Sequence, residues 1–432
     1  MFPRDLPNSV ATENPEADRP GPLSEASLLG AVHNSPPSGA AVVTCPSASV
    51  YPGLLGLLAA YGVFIVGNGL FTSAIPFQML RFNAPTTLIG VVQSCYYGGF
   101  ILGAFFTRAL IERIGQHRAF VAFAATASLF AMAFSLSDST LSLCAFRLGT
   151  GFALMGIYTT VESWLNGSVP NSMRGSVFGS YQAINFLAVG AGQLLLNVGA
   201  PGSQAQLLLV IALFTAAVLP ITIMQGWPSR VPDKRLARTD ANAWTDSVRD
   251  MMHKAPVAVP GCILAGLLYG TFYSLMPVYL ARSGFSIAEL SLVTGGSLMC
   301  ALFSQWPVGR LSDRMNRCAL SARLAVGSAC VSLPPVIMES SWLATASTFL
   351  FVAMTFTQYG LIASHVNDRT SPEHRVALSA MLIILFSIGG LIGPALVSAM
   401  MTEFGQNALH LFNAAASLSL ACFTWDESRR TR

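Results

Sequence analysis

The sequence predicts an all-α membrane protein with twelve transmembrane helices. Between residues 51 and 425, the 432-residue chain repeatedly runs for about twenty residues without a charge, and an apolar run of about 20 residues spans a bilayer as one helix. Hydrophobic residues make up 53% of the chain and charged residues 10%, whereas about a quarter of a soluble domain is charged. Because backbone exposed to lipid must hydrogen bond to itself, we interpret the runs as helices and not as strands.

The first element, residues 1–50, differs in kind from the rest. It is rich in Pro, Ser, Ala and Asn and has no sustained apolar run, so we expect a disordered cytoplasmic tail. A cleavable signal peptide needs an apolar core within the first few tens of residues, and here the first core begins near Gly53. Translation from an upstream start codon is an alternative origin for this tail.

The apolar runs then follow in two groups of six. Each group contains one pair of runs separated by only a few residues, which is typical of a tight helical hairpin. We predict helices at about 53–75, 86–107, 119–137, 140–163, 176–199, 206–226, 257–280, 288–308, 318–338, 343–365, 376–400 and 408–425. The predicted domains are the tail at 1–50, a six-helix bundle at 51–226, a cytoplasmic linker at 227–256, a second six-helix bundle at 257–425 and a cytoplasmic C-terminal tail at 426–432.

The distribution of Lys and Arg predicts the orientation in the membrane. Alternate gaps and the C-terminus contain nearly all of these residues, whereas the opposite gaps contain only Arg81 and Arg282. Short loops rich in Lys and Arg stay on the cytoplasmic side. With an even number of helices, both termini are then cytoplasmic, and we expect a multi-pass protein of the cell inner (cytoplasmic) membrane.

Several classes of function find no support in the sequence. The eight cysteines and six histidines show no metal-ligand spacing, so we predict no metal and no cofactor. The net charge of +4 is spread over separate loops without an aromatic-rich basic groove, which argues against nucleic-acid binding. We find no P-loop, nucleophile elbow or carboxylate pair, and we do not predict an enzyme.

Two loops indicate an internal duplication. The loop after the second predicted helix contains Glu112-Arg113, and the loop after the eighth contains Asp313-Arg314, at equivalent places in the two groups of helices. The second loop belongs to the longer stretch Gly309-Arg-Leu-Ser-Asp-Arg. A repeated acid–Arg pair in equivalent loops is a specific signal for two related halves.

At these loops the sequence resembles the major facilitator superfamily, whose signature loop reads Gly-x-Leu-Ala/Ser-Asp-Arg-x-Gly-Arg. The stretch from Gln305 to Arg314, with 275–280 and 161–163, is similar to the bacterial YcaD-type branch. The resemblance covers roughly residues 53–425 and implies two six-helix bundles that rock about a central cavity. Arg108 stands where Gly is usual, Glu112 replaces Asp, and Asn316 replaces the later Gly.

The resemblance implies that the loop charges form a conformational gate. A carboxylate at a helix N-terminus is favoured by the helix dipole and pairs with a nearby Arg in one state only. The alternative is that these charges are solvated and serve only topology. The candidate gate residues are Glu112, Arg113, Arg118, Glu162, Gly309, Asp313, Arg314 and Arg317.

Two charged residues lie inside the fourth predicted helix, where a charge is costly and usually faces a cavity or a partner. Arg147, followed by Gly149 and Gly151, resembles the superfamily's helix-4 motif, which is associated with proton coupling in several drug exporters. It either binds an anionic group or tunes protonation, or it is held by a neighbouring helix. Glu162 is a gate contact to an Arg of a cytoplasmic loop, a proton-binding carboxylate or an interfacial charge. The two are roughly 22 Å apart at 1.5 Å per residue and cannot pair.

Uncharged polar and aromatic residues near mid-membrane are the remaining candidates for contact with substrate. Tyr269 and Tyr273 lie on one helical face, where they either stack on a ligand or pack together. The others could instead hydrogen bond to neighbouring helices. The full candidate set is Arg147, Asn68, Gln93, Tyr97, Gln182, Asn185, Tyr269, Tyr273 and Gln358.

These residues and the resemblance predict a secondary transporter of a small organic solute that works by alternating access. The alternative is a transporter-derived sensor that binds a solute without moving it, although only residues 1–50 and 227–256 could then signal. Protons are a candidate coupling ion only by the resemblance, and the residues do not show it, because the first helix offers Asn68 and no Asp or Glu near mid-membrane. We expect a monomer in the lipid bilayer and, from a neutral cavity with one cation, an amphipathic or weakly anionic solute.

Overall fold

The computed structural model describes residues 50–137, 139–169, 173–223, 249, 251–338, 340–370 and 375–431. Within these ranges the regular secondary structure is helical. The predicted N-terminal tail, except for its last residue, and most of the predicted linker at 227–256 lie outside the described residues.

The first half consists of six helical segments. They are α1 (Val50–Arg81), α2 (Thr86–Ile114), α3 (Gln116–Ser135), α4 (Thr140–Ser168), α5 (Arg174–Leu194) and α6 (Gln204–Ala216), which Leu219–Ile223 continues.

The second half repeats this order. It contains α7 (Ala258–Arg282), α8 (Ile287–Arg314), α9 (Arg317–Ser332, continued by Pro334–Ile337), α10 (Ser341–Thr355, continued by Gln358–Arg369), α11 (Arg375–Phe404) and α12 (Ala408–Arg430). The final helix extends through 426–430, which the sequence assigns to the C-terminal tail. α10 is interrupted at Phe356–Thr357, a break that the hydropathy pattern does not predict.

Eleven helical segments within the described residues are long and apolar enough to cross a membrane. The segment α5 is not among them, because Ser176, Ser180, Gln182 and Asn185 interrupt its apolar character. Together with α5 these segments form the predicted twelve-helix, two-bundle architecture.

In each half, glycine allows the first and fifth helices to approach each other closely. A Cβ atom on Gly192 of α5 would overlap the backbone of α1 at Val66. In the second half, a Cβ atom on Gly389 of α11 would likewise overlap the backbone of α7 at Ile263. The first and fifth helices of each half therefore touch backbone to backbone, a contact that only small residues allow in a membrane bundle.

The two halves meet toward one end of the bundle. We call this the charge-poor end; it holds the α1–α2 and α11–α12 turns, and the sequence places few Lys and Arg residues there. We call the opposite end the charge-rich end. At the charge-poor end α2 contacts α11: the Thr87 and Thr402 hydroxyls are 3.1 Å apart, and the Ser94 hydroxyl accepts a hydrogen bond from the Ala395 amide at 3.0 Å. Gly190 of α5 faces Gly295 of α8 at a comparable depth.

The equivalent turns at the charge-rich end are built differently. Gly115, between α2 and α3, has a φ of 82°, a conformation that glycine adopts without strain. Asn316, between α8 and α9, instead caps α9 by accepting hydrogen bonds from the amides of Cys318 and Ala319 at 3.0 and 3.1 Å. Its side-chain amide also donates to Thr431 beyond α12, at 2.9 Å. The asparagine that departs from the family pattern therefore has a structural role.

Candidate functional site

Arg147 lies deep inside the first half, with only 1% of its surface exposed. Its Nε donates to the side-chain oxygen of Gln93 on α2 at 3.1 Å, and its Nη2 donates to the Thr72 hydroxyl of α1 at 3.1 Å. Gln93 in turn donates to the Thr72 carbonyl at 2.7 Å. Both helices that hold Arg147 belong to its own half.

Two aromatic rings complete the enclosure of the Arg147 guanidinium. The central carbon of the guanidinium lies 4.2 Å from the ring centre of Tyr96 and 5.4 Å from that of Phe71, which are distances for cation–π attraction. The Tyr96 hydroxyl accepts a long hydrogen bond of 3.4 Å from Asn68. Buried Nη1 makes no hydrogen bond within the described residues. The charge is thus stabilised by amide, hydroxyl and ring groups and by no described carboxylate.

Glu162, nearer the charge-rich end of α4, has a different environment. It is half-buried, and its described hydrogen-bond partner is the Tyr181 hydroxyl of α5 at 3.4 Å. The carboxylate lies within electrostatic range of the hydroxyls of Tyr61, Tyr158 and Tyr359. No described cation pairs with it; the side chains of Arg174 and Arg375, which could test the predicted gate contact, lie outside the described residues.

The tyrosines of the first half pack on one another around this carboxylate. The ring centres of Tyr61 and Tyr181 are 4.8 Å apart, and those of Tyr61 and Tyr158 are 6.0 Å apart. The side-chain oxygen of Asn185 accepts hydrogen bonds from Tyr61 at 2.7 Å and Tyr158 at 3.2 Å. This bonding fixes the rings of Tyr61 and Tyr158 and orients the polar edge of α5.

A second aromatic group comes from the other half. Tyr269 stacks on Phe356 at the break in α10, with ring centres 3.8 Å apart, and Tyr273 lies 5.4 Å from Tyr269. Tyr359 packs edge-on against Phe386 of α11 at 5.1 Å. Across the halves, the ring centre of Phe356 lies 6.4 Å from that of Phe186 on α5. The two aromatic groups therefore face each other across the halves.

The remaining substrate candidates occupy different environments. Tyr97 is buried against Gly390 of α11. Gln358 is buried and accepts a hydrogen bond from Ser321 of α9 at 2.5 Å. Gln182 is exposed on α5.

The candidate gate charges pair within their own halves. Glu112 accepts a hydrogen bond from Arg108 at 3.1 Å, whereas Arg113 and Arg118 are exposed. In the second half, Arg317 contacts Asp368 of α10 at 3.2 Å and Asp313 at 3.8 Å.

Arg314 is exposed, and Gly309 is half-buried in the last turns of α8. The predicted loop residues Glu112 and Asp313 lie in the last turns of α2 and α8, and these two related stretches thus make different pairs.

Known proteins with similar sequences identify the family of this chain. The sequence model of the Major Facilitator Superfamily matches residues 57–367 and 259–432. The chain belongs to the major facilitator superfamily. A relative from Escherichia fergusonii, described as the uncharacterized MFS-type transporter YcaD, is 26% identical over 392 residues, covering 90% of this chain and 98% of the relative. A protein of the same description from Escherichia coli is 27% identical over 361 residues, or 84% and 92% of the two chains.

Solved structures of major facilitator proteins share the fold at low sequence identity. The nucleoside transporter NupG superposes with a TM-score of 0.71 at 13% identity, over 86% of this chain and 98% of that one. A bacterial homolog of the human lysosomal transporter Spinster, in an inward-facing and unoccupied conformation, gives 0.70 at 15% identity over 89% and 98%. These likenesses support the transporter fold.

The sequence-based search for a site in this superfamily member missed several residues. Tyr181 donates a hydrogen bond to Glu162, and Tyr61, Tyr158 and Tyr359 lie within electrostatic range of it, but none of the four is among the predicted candidates. Tyr158 could have been found, since it precedes Glu162 by one helical turn and shares its face. The other three lie on α1, α5 and α10, and only the tertiary packing of these helices brings them together.

A buried ionic cluster in the second half was also missed. Glu427 of α12 is 4% exposed and contacts His365 at 3.3 Å and Arg369 at 3.5 Å, both on α10. Arg369 also donates to the Lys254 carbonyl at 3.0 Å. A carboxylate that follows Trp425 near the end of the chain reads as a tail charge in the sequence, whereas α12 carries it into the bundle.

Proposed function

We propose that this superfamily member is a secondary transporter that moves a small organic solute across the cytoplasmic membrane by alternating access. The observation that carries the proposal is the position of the contacts between the halves. The contacts of α2 with α11 and of α5 with α8 lie toward the charge-poor end, while the gate charges of each half pair internally at the other end.

This arrangement supports one state of a rocking mechanism, in which the charge-poor end is closed. The Lys and Arg distribution supports assignment of the charge-rich end to the cytoplasm. A solute would then enter or leave between the halves from the cytoplasmic side and reach the facing aromatic groups. Exchange to the other state requires that the contacts of Thr87 and Ser94 with α11 separate.

A disulfide across the closed end tests this mechanism. In a background with the eight native cysteines replaced, we would introduce Thr87→Cys and Thr402→Cys, whose hydroxyls lie 3.1 Å apart in the native protein. Purified protein would be reconstituted into liposomes, and uptake of a pooled metabolite and drug library would be read by mass spectrometry with and without a pH gradient. We expect oxidation to stop flux and reduction to restore it.

The matched control is the single variant Thr87→Cys, which cannot form the cross-link and should transport under both conditions. Full flux through completely cross-linked protein would contradict alternating access at this end. Solute binding without flux in the reduced, wild-type-like protein would favour the sensor hypothesis. Accumulation only with the gradient would establish proton coupling.

A further inference from the structure

Glu162 is a carboxylate inside the bundle without a described cation. A buried or half-buried charge is costly unless a partner, a proton or a ligand neutralises it. The hydrogen bond from Tyr181 at 3.4 Å is long for an O–H donor to a carboxylate. The described hydrogen-bond donor to Glu162 is thus a single tyrosine hydroxyl, and most of the acceptor capacity of the carboxylate is left available.

The rings around Glu162 supply the second feature of a cation site. An aromatic face attracts a cation within about 6 Å of its centre, and aromatic cages of this kind recognise ammonium ligands. Tyr61 and Tyr181 are buried and form the back of the group, whereas Tyr158 and Tyr359 are half-buried. The half-buried rings and the half-buried carboxylate thus lie on the accessible side of one cluster.

The cluster is shared between the halves. Glu162 and Tyr158 lie one helical turn apart on α4, whereas Tyr359 belongs to α10. The halves touch here, because the ring centre of Phe356, at the break in α10, lies 6.4 Å from that of Phe186 on α5. The stacked pair of Tyr269 and Phe356 extends the aromatic lining in the second half. A ligand held here would contact both halves at once.

The other charge in α4 does not contribute to this cluster. Arg147 is enclosed by Gln93, Thr72 and Tyr96 and is roughly 22 Å from Glu162 along the helix. The accessible charge in the shared cluster is therefore negative, and an anionic solute would meet the carboxylate without a described cation to offset it.

We infer that Glu162, Tyr158 and Tyr359 form the binding site for an organic cation of the substituted-ammonium class. The inference rests on the proposed transport function and names its substrate class, replacing the weakly anionic solute expected from sequence. The carboxylate supplies the charge attraction, and the two rings contact the apolar substituents of the ammonium group. Asn185 and Tyr181 position the surrounding side chains.

Binding of a shape-matched pair of probes tests this site without requiring flux. The probes are 3-hydroxyphenyltrimethylammonium and 3-tert-butylphenol, which share a shape and differ in charge. Titration calorimetry would use wild-type protein in phosphatidylglycerol nanodiscs, whose headgroup contains no competing ammonium. We expect the cation to bind at least about tenfold more tightly than the neutral probe, since the carboxylate and the aromatic rings attract a cation and not a neutral ligand of the same shape.

Two variants and one control locate the binding. Glu162→Gln should reduce the affinity for the cation at least about tenfold and leave the neutral probe unchanged, and Tyr359→Ala should weaken the cation several-fold. Glu403→Gln removes an exposed carboxylate at the charge-poor end of α11 and should bind both probes as the wild type does. Thermal unfolding of each variant verifies folding, and Tyr359→Ala maintains the test should Glu162→Gln misfold.

Equal affinity of the wild type for the two probes would overturn the inference, as would tight cation binding by folded Glu162→Gln protein. A chain that binds the cation but shows no flux in liposomes would refute the proposed function and leave the site standing. A chain that transports other solutes but does not bind the cation would refute the site and leave the function standing.

Discussion

Two stretches of α4 carry opposite charges and are built in opposite ways. In the packed stretch, residues 147–156, Arg147 is buried and glycines press against neighbouring helices: a Cβ on Gly151 would overlap the carbonyl of Tyr96, and one on Gly156 would overlap the ring of Phe123. In the open stretch, residues 157–168, Tyr158 and Glu162 are half-buried, and Gly167 has open space around it.

The difference teaches how to interpret a charge inside a membrane helix. Arg147 is stabilised by fixed groups of its own half, so its contribution is to hold α1, α2 and α4 together. Among the described residues Glu162 has one long hydrogen bond and no paired cation, so we expect it to remain available to a mobile partner. Burial alone would rank Arg147 as the functional residue, whereas the unmet hydrogen-bonding capacity of a half-buried carboxylate points to Glu162.

The largest effect should come from filling the packed stretch. Gly151→Ala places a methyl group on the backbone of α2, which must move away, and we expect a loss of about 3 kcal/mol or more, at the upper end for overpacking. Thermal unfolding in detergent measures the change. Gly167→Ala in the open stretch is the matched control and should alter stability by no more than about 1 kcal/mol, in the stabilising direction, because Ala is the better helix former. Equal losses in both variants would erase the distinction.

The next effect separates the two charges by stability. Arg147→Ala empties a large buried site and strands Gln93 and Thr72, so we expect a loss of about 2–5 kcal/mol. Glu162→Gln retains an acceptor for Tyr181 and should change stability by less than about 1 kcal/mol. Denaturation of the two variants side by side provides the measurement, and a greater loss for Glu162→Gln would reverse the proposed roles.

The helices could be predicted from the sequence because the bilayer imposes one strong rule. Long apolar runs between charged gaps locate the transmembrane segments and their number, and the repeated acid–Arg loops indicate two related halves. The break in α10 at Phe356–Thr357 and the polar character of α5 were less accessible, since each depends on what the helix packs against.

The candidate site was only partly predictable for a related reason. Hydropathy identifies Arg147 and Glu162 as costly residues but does not reveal their partners. Tyr61, Tyr181 and Tyr359 reach Glu162 from three other helices, and no periodicity in the sequence encodes that meeting. The i, i+4 pair of Tyr158 and Glu162 is the one local signal for the cluster.

A smaller effect should follow from loosening Glu162 without removing its charge. Tyr181→Phe deletes the hydroxyl that donates to the carboxylate, and because that bond is long we expect cation affinity to fall only about three- to tenfold, corresponding to about 0.5–1.5 kcal/mol. Calorimetry with 3-hydroxyphenyltrimethylammonium measures the change.

Tyr279→Phe removes a hydroxyl from a buried tyrosine that packs on His410, away from the site, and should leave the affinity unchanged. If Tyr181→Phe also left the affinity unchanged, Tyr181 would not position Glu162.

The smallest effect should arise at Asp313, a carboxylate that resembles Glu162 in charge and differs from it in exposure. Its side chain is 73% exposed and lies 3.8 Å from Arg317, which Asp368 holds more closely at 3.2 Å. Exposed pairs contribute at most about 1 kcal/mol, so Asp313→Asn should leave stability and cation affinity unchanged. If Asp313 acts in the conformational gate, Asp313→Asn should nevertheless slow flux about two- to fivefold, because the charge would act in the exchange between states and not in binding.

Asp426→Asn breaks an exposed i, i+4 pair with Arg430 on α12 and is the control that should leave flux intact. Equal flux in the two variants would reduce Asp313 to a topological charge, and Glu162 would then be the carboxylate on which the transport cycle depends.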